Sequence, residues 1–155
     1  MRIQRLVIVI FVGLLAWPLL TTTASAQMVE GDMADAAIAY RQGIMQSMQS
    51  HAGAISNILK SKVPHTGHLA GHAAAMAAMV KMYDDIFPKG SEVGATRLKA
   101  EFFTNMATAE GIIKKLQAET MTLAEVAKSG DPAKVGPQLG KVFGQCGACH
   151  GTFRK

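Results

Sequence analysis

The chain has only two cysteines, and they stand three positions apart: Cys146-Gly147-Ala148-Cys149, followed at once by His150 and then by five more residues. No other feature limits the fold as much. A single close pair builds no disulfide framework, so 155 residues must be held by a buried core or a bound group. C-x-x-C-H is the pattern in which two thiols add to the two vinyl groups of one porphyrin and the histidine ligates its iron. On a helix, positions i, i+3 and i+4 share a face. Cys146, Cys149 and His150 then present two attachment points and one imidazole to the same ring, and Gly147 and Ala148 keep the surface between them small.

Three other readings of the motif compete with this one. A redox C-x-x-C pair wants a strand before it and a helix after it. A structural zinc site wants four ligands, and the chain has no second cysteine pair. Two inert buried cysteines that happen to precede a histidine are the plainest alternative. Haem attachment is preferred, with His150 as the proximal iron ligand. No methionine follows His150, so any group on the far side of the iron must come from an upstream helix.

The first 26 residues read as an address. Arg2 and Arg5 form a basic start, Leu6 to Leu20 is almost wholly apolar, and Ala24-Ser25-Ala26 offers a small-residue cleavage pattern. The expectation is a cleaved secretory leader over 1–26 and a mature domain over 27–155, with no lasting membrane anchor. The competing reading, an uncleaved anchor, has an apolar run that is short for a membrane span. Two arginines leave with the leader, so the formal charge of +5 falls to +3, from 14 basic and 11 acidic residues. No basic block remains, and nucleic acid is excluded as a partner. Export also implies an oxidising compartment.

In the mature part, apolar residues recur at helical steps and no alternating run is present. Ile38, Met45, Met48, Ile55 and Ile58 mark a helix from about Asp32 to Lys60. Leu69, Met76, Met79, Val80, Tyr83 and Ile86 mark a second, from Thr66 to Ile86. A loop over about 89–98 follows. Phe102, Phe103, Met106, Ile112, Ile113, Leu116 and Leu123 mark a third helix from Ala100 to Lys128, closed by Gly130. The fourth starts at Asp131-Pro132, with a break expected near Gly136-Pro137, and carries the cysteine motif. The fold expected is all-α: an antiparallel four-helix bundle with covalent haem on the C-terminal helix.

With these residues in view, the chain resembles the cytochrome c′ family from about Met33 to Lys155. The resemblance rests on Tyr40-Arg41-Gln42-Gly43-Ile44-Met45, on Phe87-Pro88-x-Gly90-Ser91, and on the terminal run from Cys146 to Arg154. It departs from the family at Ala100-Glu101-Phe102-Phe103, where many members carry Pro-Glu-Ile-Trp; Phe103 is expected to replace the tryptophan as an apolar wall. The resemblance implies one covalent haem c per chain and a periplasmic home in a Gram-negative bacterium. It also implies a homodimer formed through the first two helices. It implies that Arg41 pairs with a haem propionate, that Gln42 and Thr96 lie at the haem edge, and that Arg154 is the proximal base near His150. Met45 takes the distal position. In most members the distal residue leaves iron five-coordinate and open to NO and CO, and that reading is favoured. In a minority a methionine there is the sixth ligand, which gives a low-spin electron carrier with a redox partner protein; this is the alternative. Neither makes the chain an enzyme beyond weak redox side activity.

The chain holds other suggestive residues. His68 and His72 share a helix face at i, i+4, with His65 close by, but no carboxylate lies in the stretch, so solvated histidines are expected. His51 is expected at the bundle edge and away from iron. Met76, Met79, Met82 and Met106 fall on stripe positions and read as flexible core packing in preference to a copper site.

Overall fold

A computed structural model describes residues 22–155, with side chains from residue 31 onward. Residues 1–21, which hold the basic start and apolar run of the expected leader, lie outside the described residues. The elements in chain order are α1 (Thr22–Leu59), a 3-10 turn (Thr66–His68), α2 (Leu69–Val80), a second 3-10 turn (Lys81–Asp84), α3 (Glu101–Thr104), α4 (Met106–Ala127) and α5 (Pro132–Phe153). Among the described residues there is no strand, only one isolated antiparallel bridge between Leu98 and Arg154. No described helix is long and apolar enough to cross a membrane.

The four long elements are joined by short turns except for one loop, so neighbours run antiparallel. α1 packs on α2, α2 on α4, α4 on α5, and α5 closes back on α1. This is the up-down-up-down bundle that the apolar stripes demand. Ile55, Leu69, Ala73, Val80, Ala109, Leu123, Val135 and Val142 are fully buried along its axis. α1 ends where Ser61 turns to φ 54° and Lys62 N–H donates to Asn57 O at 3.0 Å, the arrangement that closes a helix end ahead of Pro64. α5 starts at Asp131, whose Oδ1 accepts from Ala133 N–H at 2.9 Å, with Pro132 as first helical residue.

The expected boundaries shift at four places, the first being the start of α1, at Thr22 where about Asp32 was expected. α2 tightens into a 3-10 turn after Val80, and Val80, Tyr83 and Ile86 are buried at steps of three, the period of that tighter helix. The third helix is interrupted at Asn105 (φ −122°, ψ 41°), which separates α3 from α4. The break expected near Gly136-Pro137 does not occur: α5 runs unbroken through Pro137. That proline lies inside the helix and leaves Ala133 O without its i+4 donor, and the packing of α5 on α4 and α1 carries the helix through it.

Two side chains differ from their expected packing. Met106 is 40% exposed at the start of α4 and contributes little to the core. Phe103 packs edge-on against Phe102 at 5.3 Å, and it is Phe102, 2% exposed, that fills the interior by stacking on Phe87 at 4.5 Å and meeting Phe153 at 5.3 Å. The one-residue difference follows from α3 being a separate turn with its own register.

Candidate haem site

One cavity of about 990 Å³ lies between α1, the end of α2, the long loop, α4 and α5. Cys146, Cys149 and His150 line it from α5, as their helical spacing requires; Met45 lines it from α1. Arg41, Gln42, Thr96 and Arg154 line it as well. All eight sequence-derived site residues therefore meet in one place, although they come from three separate stretches of chain. Phe103 is not among the lining residues.

The chemistry of the lining matches a flat, mainly apolar ring with two carboxylates. Met48, Ala52, Met76, Ile113, Leu116, Val142 and Phe153 form apolar walls. Arg41, Arg97 and Arg154 supply positive charge, and no aspartate or glutamate lines the cavity. Two thiols, one imidazole, apolar walls and cationic groups fit haem c on each count. Burial raises both thiols above the ordinary cysteine value, Cys149 further because Cys146 is beside it. Such thiols are unlike the activated pair of a redox motif, which would need the thiolate stabilised, and the motif lies within α5 with no strand before it.

Arg41 is the most heavily bonded side chain of the site. Its Nη1 donates to Ser91 Oγ at 2.6 Å and Ile86 O at 3.3 Å, and its Nη2 donates to Ser91 O at 2.8 Å and Thr96 Oγ1 at 3.0 Å. The guanidinium also lies 5.5 Å from the centre of the Phe87 ring. Only 5% of the residue is exposed. Burial lowers the guanidinium from its ordinary value and Glu92 acts the other way; an arginine stays charged through such a shift. Ser91, 1% exposed, passes its own hydroxyl hydrogen to Pro88 O at 2.7 Å. The Phe87-Pro88-x-Gly90-Ser91 turn thus brings one hydroxyl and one carbonyl to Arg41. Gln42 Nε2 adds a bond to Ala95 O at 2.8 Å. Gly94 completes the contact in a left-handed backbone conformation (φ 98°) that favours glycine, and a Cβ there would crowd Asp35 Oδ1 at 3.2 Å.

The loop is also tied to α5. Lys99 N–H donates to Phe153 O at 2.9 Å and Lys155 N–H to Arg97 O at 2.8 Å, on either side of the Leu98–Arg154 bridge. Arg97 and Arg154 are thereby held side by side at the cavity.

Sequence reasoning gave no role to Arg97, Tyr83 or Ser91. The Tyr83 hydroxyl donates to Met45 Sδ at 3.2 Å inside the cavity wall. Burial, then the nearby Cys146 and Cys149, push the phenol well above the ordinary tyrosine value, so it stays a donor. Its position on the apolar stripe marked it only as core.

The other four histidines lie elsewhere. His65 and His68 are exposed and stacked, with ring centres 5.0 Å apart. His72 is not simply solvated: it is half-buried, and its Nδ1 lies 2.9 Å from Nδ1 of His51, which comes across from α1. One nitrogen must donate and the other accept. Among the described residues no three histidine, cysteine, aspartate or glutamate side chains converge as a metal set. Burial first, then His51 and His68, lower His72 from its ordinary value of 6.5. A histidine kept neutral by the fold takes up its proton more readily when unfolded, so the stability it contributes is present above about pH 6.5 and is lost as pH falls below it. The thermal midpoint of the haem-loaded protein should therefore fall between pH 7.5 and 5.5, and fall less in His72→Gln; equal falls in both proteins would remove this pair from the pH response.

The fold and this site define a c-type haem protein: a four-helix bundle with the C-x-x-C-H motif on its last helix. Comparison with known families matches residues 36–154 to the family described as Cytochrome C′. The chain is 30% identical over 122 residues to cytochrome c′ of Pararhodospirillum photometricum, covering 78% of this chain and 98% of that one. It is 30% identical over 136 residues to cytochrome c′ of Rhodospirillum rubrum, covering 87% and 90%. The solved cytochrome c′ of Rubrivivax gelatinosus superposes with a TM-score of 0.72 at 26% identity, covering 77% of this chain and 94% of that one. This chain belongs to the cytochrome c′ family, and it is a covalent haem c protein.

Proposed function

We propose that the chain is an exported, periplasmic haem protein whose iron is five-coordinate and takes up small neutral gases, NO and CO, on the Met45 side. The observation that carries this reading is the makeup of the α1 and α2 wall. Met45, Met48, Ala52 and Met76 line it, joined by Tyr83 from the second 3-10 turn; the polar side chains that α1 adds to the lining are Arg41, Gln42, Gln46 and Gln49, and among the described residues α1 and α2 offer the cavity no imidazole, amine or carboxylate. A neutral diatomic loses little hydration on meeting the Met45, Met48, Ala52 and Met76 side chains, so it needs no polar partner there. When bound, haem supplies an iron that holds a gas or exchanges an electron. The chain's own residues do the rest: Cys146 and Cys149 attach, His150 ligates the proximal face, and Arg41, Arg97 and Arg154 offset the propionate charge. Gln42 and Thr96 fix the loop at the ring's edge. The mature chain starts at Gln27 in this reading, so export trims the first residues of α1. It pairs with a second copy through α1 and α2; one solved cytochrome c′, 28% identical to this chain, undergoes a ligand-controlled dimer dissociation.

The second reading, a low-spin electron carrier with Met45 as sixth ligand, is supported by the presence of a thioether in the same cavity as His150. An optical spectrum of the purified, haem-loaded protein decides between the two. The expected result is a high-spin spectrum that shifts on adding CO. A low-spin ferric spectrum with the long-wavelength band of methionine ligation would replace the first reading with the second.

A further inference from the structure

We infer that Tyr83 is a positioning residue whose hydroxyl competes with iron for the Met45 sulfur. The inference deepens the five-coordinate reading and rests on it. A thioether sulfur is a weak acceptor and a weak ligand for ferric haem, because it favours the ferrous state. Two weak bonds to one atom are easily set against each other. The Tyr83 oxygen lies 3.2 Å from Met45 Sδ, and no other partner holds that hydroxyl among the described residues. Tyr83 itself is fixed: it is 5% exposed, sits in the 3-10 turn Lys81–Asp84, and meets the Phe87 ring edge-on at 6.4 Å. Met45, by contrast, is an unbranched, only partly buried side chain that can re-aim its sulfur. The rigid partner therefore sets where the flexible one points.

The geometry also explains why this control is available here. Met45 stands four positions after Arg41 on α1, so both side chains stand on the same face. Arg41 locks that face to the loop through Ser91 and Thr96. With α1 fastened to the loop one turn before Met45, re-aiming the sulfur falls chiefly to rotation of the Met45 side chain. Tyr83 opposes that rotation.

The experiment compares four haem-loaded proteins: the parent, Tyr83→Phe, Met45→Leu and the double variant. Each is examined by optical and electron paramagnetic resonance spectra in the ferric state, and by CO binding in the ferrous state. Tyr83→Phe keeps the ring and removes only the donor, so folding is undisturbed. The expected result is a roughly three- to tenfold rise in the ratio of low-spin to high-spin iron in Tyr83→Phe. No such rise should follow Tyr83→Phe in the Met45→Leu background. If the parent is already low-spin, the five-coordinate reading fails by itself. The inference then predicts slower displacement of Met45 by CO in Tyr83→Phe, again absent with Leu at position 45. An unchanged spin ratio and an unchanged CO rate in Tyr83→Phe would overturn the inference whatever the parent's spin state. So would a change that persists in the double variant, since that change would not pass through the sulfur.

Discussion

Protein exported with both Cys146→Ala and Cys149→Ala should carry no haem through boiling in detergent, while the parent keeps a haem-staining band of its own size on a denaturing gel. Each single variant should retain a weaker band, because one thioether still holds the ring. Its reduced spectrum in alkaline pyridine should move to longer wavelength than the parent's, since one vinyl group stays unsaturated. The reason lies in α5. Both thiols line the cavity from one helical face, with His150 one residue further on. No disulfide joins Cys146 to Cys149 to compete with that attachment. A double variant that still bound haem covalently would place the attachment on another residue and overturn the assignment of the site.

The next largest effect is expected at Arg41. Arg41→Ala removes four hydrogen bonds at once and leaves the carbonyls of Ile86 and Ser91 without their side-chain donor in a buried setting. Unmade buried bonds of this kind, several to one charged group, cost about 3–5 kcal/mol in total. For a bundle of this size the thermal midpoint should drop by on the order of 10 °C. Arg41→Lys should recover only part of this, because an ammonium is a compact point and cannot span the fork from Ser91 to Thr96. Calorimetry on the haem-loaded proteins measures the difference directly. A midpoint within about 2 °C of the parent would mean that the loop holds itself on α1 without the guanidinium.

These residues show what was legible in the sequence and what was not. The helices were legible because burial repeats with the helical period: Ile38, Met48, Ile55 and Ile58 all lie inside, as do Leu69, Met76 and Val80. The site was legible where its chemistry is local, as in Cys146, Cys149 and His150. Arg41 was reached only through the family's motif. Its partners Ser91 and Thr96 lie 50 and 55 positions away, and no pattern along the chain encodes a contact of that span. Tyr83 was hidden for another reason. The chain narrows to a three-residue period after Val80, so a residue that reads as one more core position turns its hydroxyl onto α1. The His51–His72 pair was missed because its members stand on different helices, and spacing relates a histidine only to neighbours on its own segment. Pro137 misled because the packing of α5 on α4 and α1, which no spacing along the chain shows, carries the helix through the lost bond.

The short bridge at Leu98 and Arg154 has a consequence for how the molecule breathes. The last residues of a chain ordinarily fray and exchange their amide hydrogens with water almost freely. Here the Lys155 amide is bonded to Arg97 O, and the Lys99 amide to Phe153 O. Those amides can exchange only when the loop lifts from α5, and the loop is itself fastened to α1 by Arg41. Fraying at this end therefore has to break bonds to the loop that borders the cavity. The Lys155 amide thus becomes a clock for how often the end of α5 and the loop part beside the cavity.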